Sequence, residues 1–215
     1  MRDVIFRDRI DAGRQLAQHI LARYPELWRE HPIVLGIPRG GVTVAREVAN
    51  AIGAPLDVFI ARKLGAPGQE ELGIGAIAPG DTRILDADII RMLGVSDSYI
   101  EDVTRRERAE LDRRLAHYRG ERPPLEVTGR AVILVDDGLA TGVTARAALA
   151  ALRTDHPSRL LFAAPVCSVE GSALVRREAD DALCVAMPDR FYGVGNWYED
   201  FDQVTDEEVL ALLRG

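Results

Sequence analysis

The stretch AVILVDDGLATGVTARAA, Ala131 to Ala148, governs the reading of the whole chain. It opens on an unbroken apolar run, Ala131 to Val135, rich in β-branched residues. That composition predicts a strand buried on both faces, as in a parallel sheet. Two carboxylates follow at once, Asp136 and Asp137. Then comes a five-residue loop, Gly138, Leu139, Ala140, Thr141 and Gly142, and an Ala-rich helix with Thr144 in its first turn. Backbone N–H groups of a tight turn and of a helix N-terminus converge on one spot and favour an anion there. Thr141 and Thr144 add hydroxyl donors. The two acids repel a phosphate but accept from sugar hydroxyls, or hold Mg²⁺ through water. The stretch therefore fits a sugar phosphate, with the acids on the ribose and the loop on the 5′-phosphate. It is not a nucleotide-binding loop of the Gly-Lys-Ser/Thr kind, because Val143 stands where the Lys would be.

Working outward, a similar unit stands upstream. Ile33 to Ile37 reads as a buried strand and leads through Pro38, Arg39, Gly40 and Gly41 into a helix over Val42 to Ala51. Taken alone, this turn fits a plain connection with Arg39 in solvent equally well. Its place before the acid pair tips the balance towards a second anion site, in which Arg39 supplies a charge-assisted bond. Leu56 to Ala61 reads as the next strand, ending in Arg62 and Lys63. A basic pair at the C-terminal end of such a strand is placed either in solvent or in the ligand crevice.

Between Leu64 and Pro124 the pattern loosens. Gly73-Ile74-Gly75-Ala76-Ile77-Ala78 has the outline of a dinucleotide fingerprint. It neither follows a strand nor opens a helix, so a short strand over Ile74 to Ala78, paired with Thr82 to Leu85, is expected instead. Ser98 to Arg119 reads as a long helix with an apolar stripe of Ile100, Val103, Leu111, Leu115 and Tyr118. Its charges pair at i,i+4: Glu101 with Arg105, Asp102 with Arg106, Glu110 with Arg114. Arg159 to Val166 and Ala182 to Met187 are further strands around a helix over Val169 to Ala179. Strands and helices alternate from Ile33 to Met187, which predicts a parallel sheet wrapped on both faces. At the ends, Phe6 to Tyr24 reads as a helix capped by Asp8, with Ile10, Ala17, Ile20 and Tyr24 on one face. Thr205 to Leu213 reads as a short helix with Glu208 in a capping box.

Composition bounds the function. The chain has 215 residues and a net charge of −7, which implies no general role in nucleic-acid or anionic-membrane binding. No apolar span is long enough to cross a bilayer, and no signal-peptide pattern opens the chain. Cys167 and Cys184 sit in or beside apolar runs and read as buried, reduced thiols of a cytoplasmic protein. His19, His31, His117 and His156 show no ligand spacing, so no zinc site is signalled.

VILVDDGLATGVT closely resembles the phosphoribosyl pyrophosphate (PRPP) signature of the type I phosphoribosyltransferase family. The resemblance implies an α/β fold, a parallel sheet flanked by helices with a small hood made from the chain ends. It implies three parts: an N-terminal helix over 1–32, a PRPP-binding core over 33–187 carrying a long insertion at 64–124, and a C-terminal hood over 188–215. It assigns Asp136 and Asp137 to the ribose and, through water, to Mg²⁺. Gly138, Leu139, Ala140, Thr141, Gly142 and Thr144 go to the 5′-phosphate, and Pro38, Arg39, Gly40, Gly41 and Lys63 to the pyrophosphate. The catalytic set would be Lys63, Arg39, Asp136 and Asp137. In purine members of the family an aromatic near a Val-Gly step stacks on the base. FYGVGNWYEDF is similar, which makes Phe191, Tyr192 and Trp197 candidate platforms and Glu199 the edge reader. Hypoxanthine–guanine members carry a third acid where this chain has Ala140, so the loop is nearer the adenine enzymes or a divergent branch. In the family the insertion carries a mobile loop over the diphosphate, and Arg105 and Arg106 are its candidates here. The implied partners are PRPP, a small heterocyclic base and a second copy of the chain in a homodimer. The rival class is a non-catalytic PRPP or nucleotide sensor.

Overall fold

The computed structural model describes residues 5–214. Residues 1–4 and 215, the outer tips of the first and last expected segments, lie outside the described residues. Five strands form a parallel sheet: β1 (Ile33–Gly36), β2 (Leu56–Val58), β6 (Ala131–Val135), β7 (Arg159–Val166) and β8 (Asp181–Ala186). Their order is β2-β1-β6-β7-β8. The expected parallel sheet flanked by helices is thus present. Alternation explains how each strand serves two faces. Ile33 and Leu35 of β1, with Val132 and Leu134 of β6, face one apolar cluster completed by helix α5 (Val143–Thr154) and helix α6 (Val169–Val175). Val34, Ile133 and Val135 face the other, completed by α1 (Arg9–Arg23) and α2 (Gly40–Ile52).

The N-terminal helix is shorter than expected and its face is turned. Asp8 caps it as predicted, accepting from Asp11 N at 2.7 Å. Ala12, Leu16, Ala17 and Ile20 are buried, whereas Ile10 is 41% exposed. Gly13 decides that orientation: a Cβ there would lie 2.9 Å from the Val44 carbonyl oxygen of α2, so the two helices touch backbone to backbone.

Beyond the β2 edge, the insertion is more ordered than its sequence suggests. The strand expected over Leu56 to Ala61 stops at Val58, and Arg62–Ala66 is a separate strand, β3. It runs antiparallel to β4 (Gln69–Ile77), which pairs with β5 (Arg83–Leu85) as expected. The glycine-rich hexapeptide therefore lies mostly within a strand. Gly75 admits the backbone of β5, since a Cβ would lie 3.2 Å from Leu85 Cα. A short helix, α3 (Ala87–Leu93), adds to the expected elements; Asp86 caps it by accepting from Asp88 N and Ile89 N. The long helix α4 (Asp97–Arg119) is confirmed, capped by Ser96. Of its expected ion pairs only Glu110 with Arg114 forms, at 2.8 Å. Arg105 instead meets Asp102, and Glu101 meets Arg83. The antiparallel flap β3–β5, α4 and the closing helix α7 (Asp206–Arg214) share one apolar cluster around Leu64, Ile77, Leu111, Tyr118 and Val209. The capping box of α7 is realised in both directions, Thr205 N to Glu208 Oε2 at 2.7 Å and Glu208 N to Thr205 Oγ1 at 3.2 Å.

The cysteines correct the sequence reading. Cys167 and Cys184 are joined in a disulfide with Cα atoms 5.9 Å apart. Pairing of β7 with β8 explains the proximity: Ala164 lies opposite Cys184, and Cys167 N donates to the Ala186 carbonyl just beyond. Sequence spacing alone carries no trace of that register.

Candidate functional site

Parallel strands deliver their C-terminal ends to one side of the sheet, so the loops after β1 and β6 become neighbours. Gly36 pairs with Val135, and Ile37 N donates to the Val135 carbonyl at 2.9 Å. The next residues then stand back to back. A Cβ on Gly41 would lie 2.9 Å from Asp136 Cα and 3.0 Å from the Val135 oxygen. A Cβ on Gly40 would overlap Asp137 Oδ2 and lie 2.8 Å from Asp137 Cγ. Only glycine lets the first loop approach the acid pair this closely. Gly40, Gly41, Asp136 and Asp137, singled out separately in the sequence, therefore form one contact. Arg39 precedes α2 as its N-cap, and the Pro38–Arg39 peptide is cis. Arg39 is part-buried there.

The loop after the acids is held from below. Leu139 is 2% exposed and packs into the core, so it contributes backbone rather than side chain. Its N–H donates to the Val166 carbonyl at 2.8 Å, and its carbonyl accepts from Ser168 N at 2.8 Å. Ser168 Oγ donates to the Ala140 carbonyl at 2.5 Å and accepts from Gly171 N at 2.9 Å. Gly142 takes φ +74°, the left-handed conformation that turns the chain into α5. The first helical bond there is Arg146 N to the Gly142 carbonyl, at 2.8 Å. The N–H groups of residues 143–145 precede that ladder and open onto the loop, beside the exposed Ala140 and Thr141. Free N–H groups at a helix N-terminus are chemically suited to an anion.

Asp136 and Asp137 are part-buried. Burial, and then the neighbouring Asp137 charge, raise the Asp136 carboxyl well above the ordinary range. Burial raises Asp137 as well, opposed by the guanidinium of Arg9. Arg9 Nε donates to Asp137 Oδ2 at 2.7 Å, and the two side chains are 11% and 17% exposed. Sequence reasoning missed Arg9, since its partner lies 128 residues along the chain. It also missed Tyr198, whose hydroxyl donates to the Asp137 carbonyl at 2.5 Å. Burial beside the acids raises the Tyr198 phenol, which keeps it a donor.

The hood comes from both ends of the described chain. Phe6 N donates to the Trp197 carbonyl at 3.0 Å, and Glu199 N to the Phe6 carbonyl at 2.9 Å. Val194 sits directly over Gly138, where any Cβ would strike its methyl groups. Of the aromatic candidates, Trp197 is 8% exposed and packs with Phe6, Ala12, Val166 and Tyr198, so it builds the hood and offers no open face. Phe191 is part-buried against the same cluster, Tyr192 is 79% exposed, and Glu199 is exposed. Lys63 is on the flap, its stem lying where a Cβ on Gly73 would be 3.2 Å away. It lines a 280 Å³ cleft with Arg62, Gly65, Glu70, Arg106 and Glu107, of which the acid pair is not part. Helix α5 also packs against β3 and β4 of the flap. Arg106 lines the same cleft as Lys63, whereas Arg105 lines a different cleft with Asp81 and Arg83.

A parallel sheet whose switch point sets two glycine-bearing loops against an acid pair, under a hood, defines an α/β domain with its crevice at the C-terminal ends of β1 and β6. The phosphoribosyl transferase domain family matches residues 6–201, and the chain belongs to that family. A Mycobacterium tuberculosis (strain ATCC 25618 / H37Rv) protein named "Putative phosphoribosyl transferase Rv0571c" is 42% identical over 209 residues, covering 97% of this chain and 46% of the relative. The chain thus spans about half the length of the curated relatives it matches. The crystal structure of TT1426 from Thermus thermophilus superposes with a TM-score of 0.81 at 42% identity, covering 99% of this chain and 98% of that one. A hypothetical protein from Neisseria gonorrhoeae with bound ppGpp shares the fold at a TM-score of 0.54 and 14% identity, covering 100% of this chain and 97% of that one.

Proposed function

We propose that the chain is a Mg²⁺-dependent phosphoribosyltransferase that moves the 5-phosphoribosyl group from PRPP to a nucleobase or similar nitrogen heterocycle, releasing pyrophosphate. The observation that carries this reading is the back-to-back contact of Gly40 and Gly41 with Asp137 and Asp136. It sets an anion loop beside two hydroxyl acceptors, with the second anion cradle at the start of α5. That order of groups suits one ligand with phosphate at both ends of a ribose.

The acids also fit the metal. Among the described residues no group of three or more His, Cys, Asp or Glu could hold an ion. Mg²⁺ suits such a sparse site, since it keeps waters and completes its octahedron with substrate oxygens. Asp136 and Asp137 would hold it through water, and its charge would stabilise the leaving diphosphate. In the reaction the acceptor nitrogen attacks ribose C1 as the bond to the diphosphate breaks. This chain contributes positioning and charge: the acids on the ribose hydroxyls, the α5 N-terminus on the 5′-phosphate, and Arg39 and Lys63 on the diphosphate. Tyr192 and Phe191 are the remaining base platforms, with Glu199 beside them on the hood. A cytoplasmic homodimer completes the proposal, and light scattering checks its assembly.

One observation favours the sensor reading: the burial of Trp197 removes one of the three candidate platforms for an acceptor base. Turnover separates the two. Incubation with PRPP and a panel of purines, pyrimidines and pyridines should release pyrophosphate with at least one base. Lys63→Ala should slow that release by roughly 30- to 1,000-fold, the worth of one charge-assisted contact to a diphosphate. Tight PRPP binding with no release on any base would favour the sensor.

A further inference from the structure

Arg9 is a heavily engaged cation beside the acid pair. Its Nε donates to Asp137 Oδ2 at 2.7 Å, and its Nη1 donates to the Asp202 carbonyl at 2.7 Å. Its Cζ lies 3.8 Å from the centroid of the Phe201 ring, within cation–π range. Its side chain is 11% exposed. A Cβ on Gly40 would lie 2.6 Å from Nε, so the guanidinium also abuts the first anion loop. One residue of α1 thereby touches the acid pair, the glycine loop and the hood.

Two adjacent carboxylates repel each other, and an unsupported one would turn towards water. A guanidinium against one oxygen fixes both the rotamer and the direction of the other oxygen. Stacking on Phe201 and the bond to Asp202 fix the guanidinium in turn. We propose that Arg9 is a positioning residue for Asp137, holding Oδ1 towards the ribose hydroxyls and tying that geometry to hood segment 197–202. This rests on the reading of Asp137 as a ribose acceptor. Arg9 acts through Asp137 and does not itself meet the diphosphate. The hood and the ribose subsite are one mechanical unit, joined through α1.

The consequence is a selective loss. Without added metal, so that Asp137 acts on the ribose alone, calorimetry should show Arg9→Gln weakening PRPP and ribose 5-phosphate by the same factor, about 10- to 100-fold, the scale of a misplaced substrate contact. Pyrophosphate, which has no ribose, should bind as to the unchanged protein. Arg9→Lys, which keeps the charge and loses the planar fork, should recover part of the loss; a general weakening of the fold would not be so rescued. Phe201→Leu, which frees the guanidinium plane and leaves the charge, covers the case in which Arg9→Gln does not fold. It should show the same selectivity at a smaller factor. Equal weakening of pyrophosphate, or unchanged sugar-phosphate binding in the folded variants, overturns the inference and leaves the proposed function standing. An unmodified protein that binds neither sugar phosphate overturns both.

Discussion

Gly40→Ala tests whether the two loops form one site. The perturbation is a single methyl group placed on the first turn of α2. No positive φ is involved, so the change acts through space alone. The new Cβ would overlap Asp137 Oδ2, and would lie 2.6 Å from Arg9 Nε and 2.8 Å from Asp137 Cγ. Neither partner can yield freely. Arg9 is stacked on Phe201 and bonded to Asp202, and Asp137 is backed by Tyr198. The methyl must therefore displace the Arg9–Asp137 pair or push the loop away from the sheet. Loss of a part-buried charge-assisted bond, together with overpacking, should cost about 2–3 kcal/mol. For a domain of this size that lowers Tm by roughly 4–12 °C. Differential scanning fluorimetry measures it without ligand. A double-mutant cycle adds specificity: in an Arg9→Ala background Asp137 is free to rotate, so Gly40→Ala should cost about 1 kcal/mol less than in the original chain. An unchanged Tm, or strict additivity in the cycle, would refute the packing argument.

Asp136→Asn should raise the melting temperature of the ligand-free protein at pH 7 while removing its response to PRPP. The sign follows from burial and the Asp137 charge, which raise the Asp136 carboxyl in the fold. Such an acid loses folding stability as pH rises from its unfolded value of about 4 through its raised folded value, so the gain should vanish below about pH 4. The disulfide predicts a redox effect: it closes a loop of 17 residues, and opening it should cost about 3 kcal/mol. A scan with and without reductant reads that cost, and intact mass under non-reducing conditions should show two fewer hydrogens than the dithiol. Thr205→Ala should remove one direction of the α7 capping box and cost about 1 kcal/mol, seen as a fall in Tm of roughly 2–4 °C.

The core of this fold is legible because its signals are local. A β-branched run, two acids, a glycine turn and a helix sit together over Ala131 to Ala148, and each dictates its own conformation. The same holds for Ile33 to Ala51 and for the capping box of α7. What escaped depends on contacts distant in sequence. Arg9 reaches Asp137 across 128 residues, and nothing near Arg9 marks it as different from other arginines. Ile10 fits a helical stripe, yet the backbone contact at Gly13 turns that face outward. Arg62 and Lys63 follow an apolar run closely enough to read as its end, whereas they begin the flap. Trp197 reads as a platform from its neighbours, but the pairing of Phe6 with segment 197–199 buries it. The cysteines meet only because β7 and β8 pair in a register that sequence spacing does not encode. The loop after the acids departs in the other direction: Leu139 stands in the signature, yet its side chain belongs to the core and its N–H to Val166.

The central claim is that PRPP is held where the loop of Gly40 and Gly41 meets Asp136 and Asp137. The most direct measurement is the shift in Tm produced by PRPP with Mg²⁺, compared between the original chain and the variant carrying both Asp136→Asn and Asp137→Asn. A ligand bound only by the folded state stabilises by about 2.7 kcal/mol at one hundred times its Kd, a rise of roughly 5–10 °C for a domain of this size. The account predicts that rise in the original chain and its absence in the double variant, which should still melt cooperatively. A cooperative double variant with the same rise would contradict it.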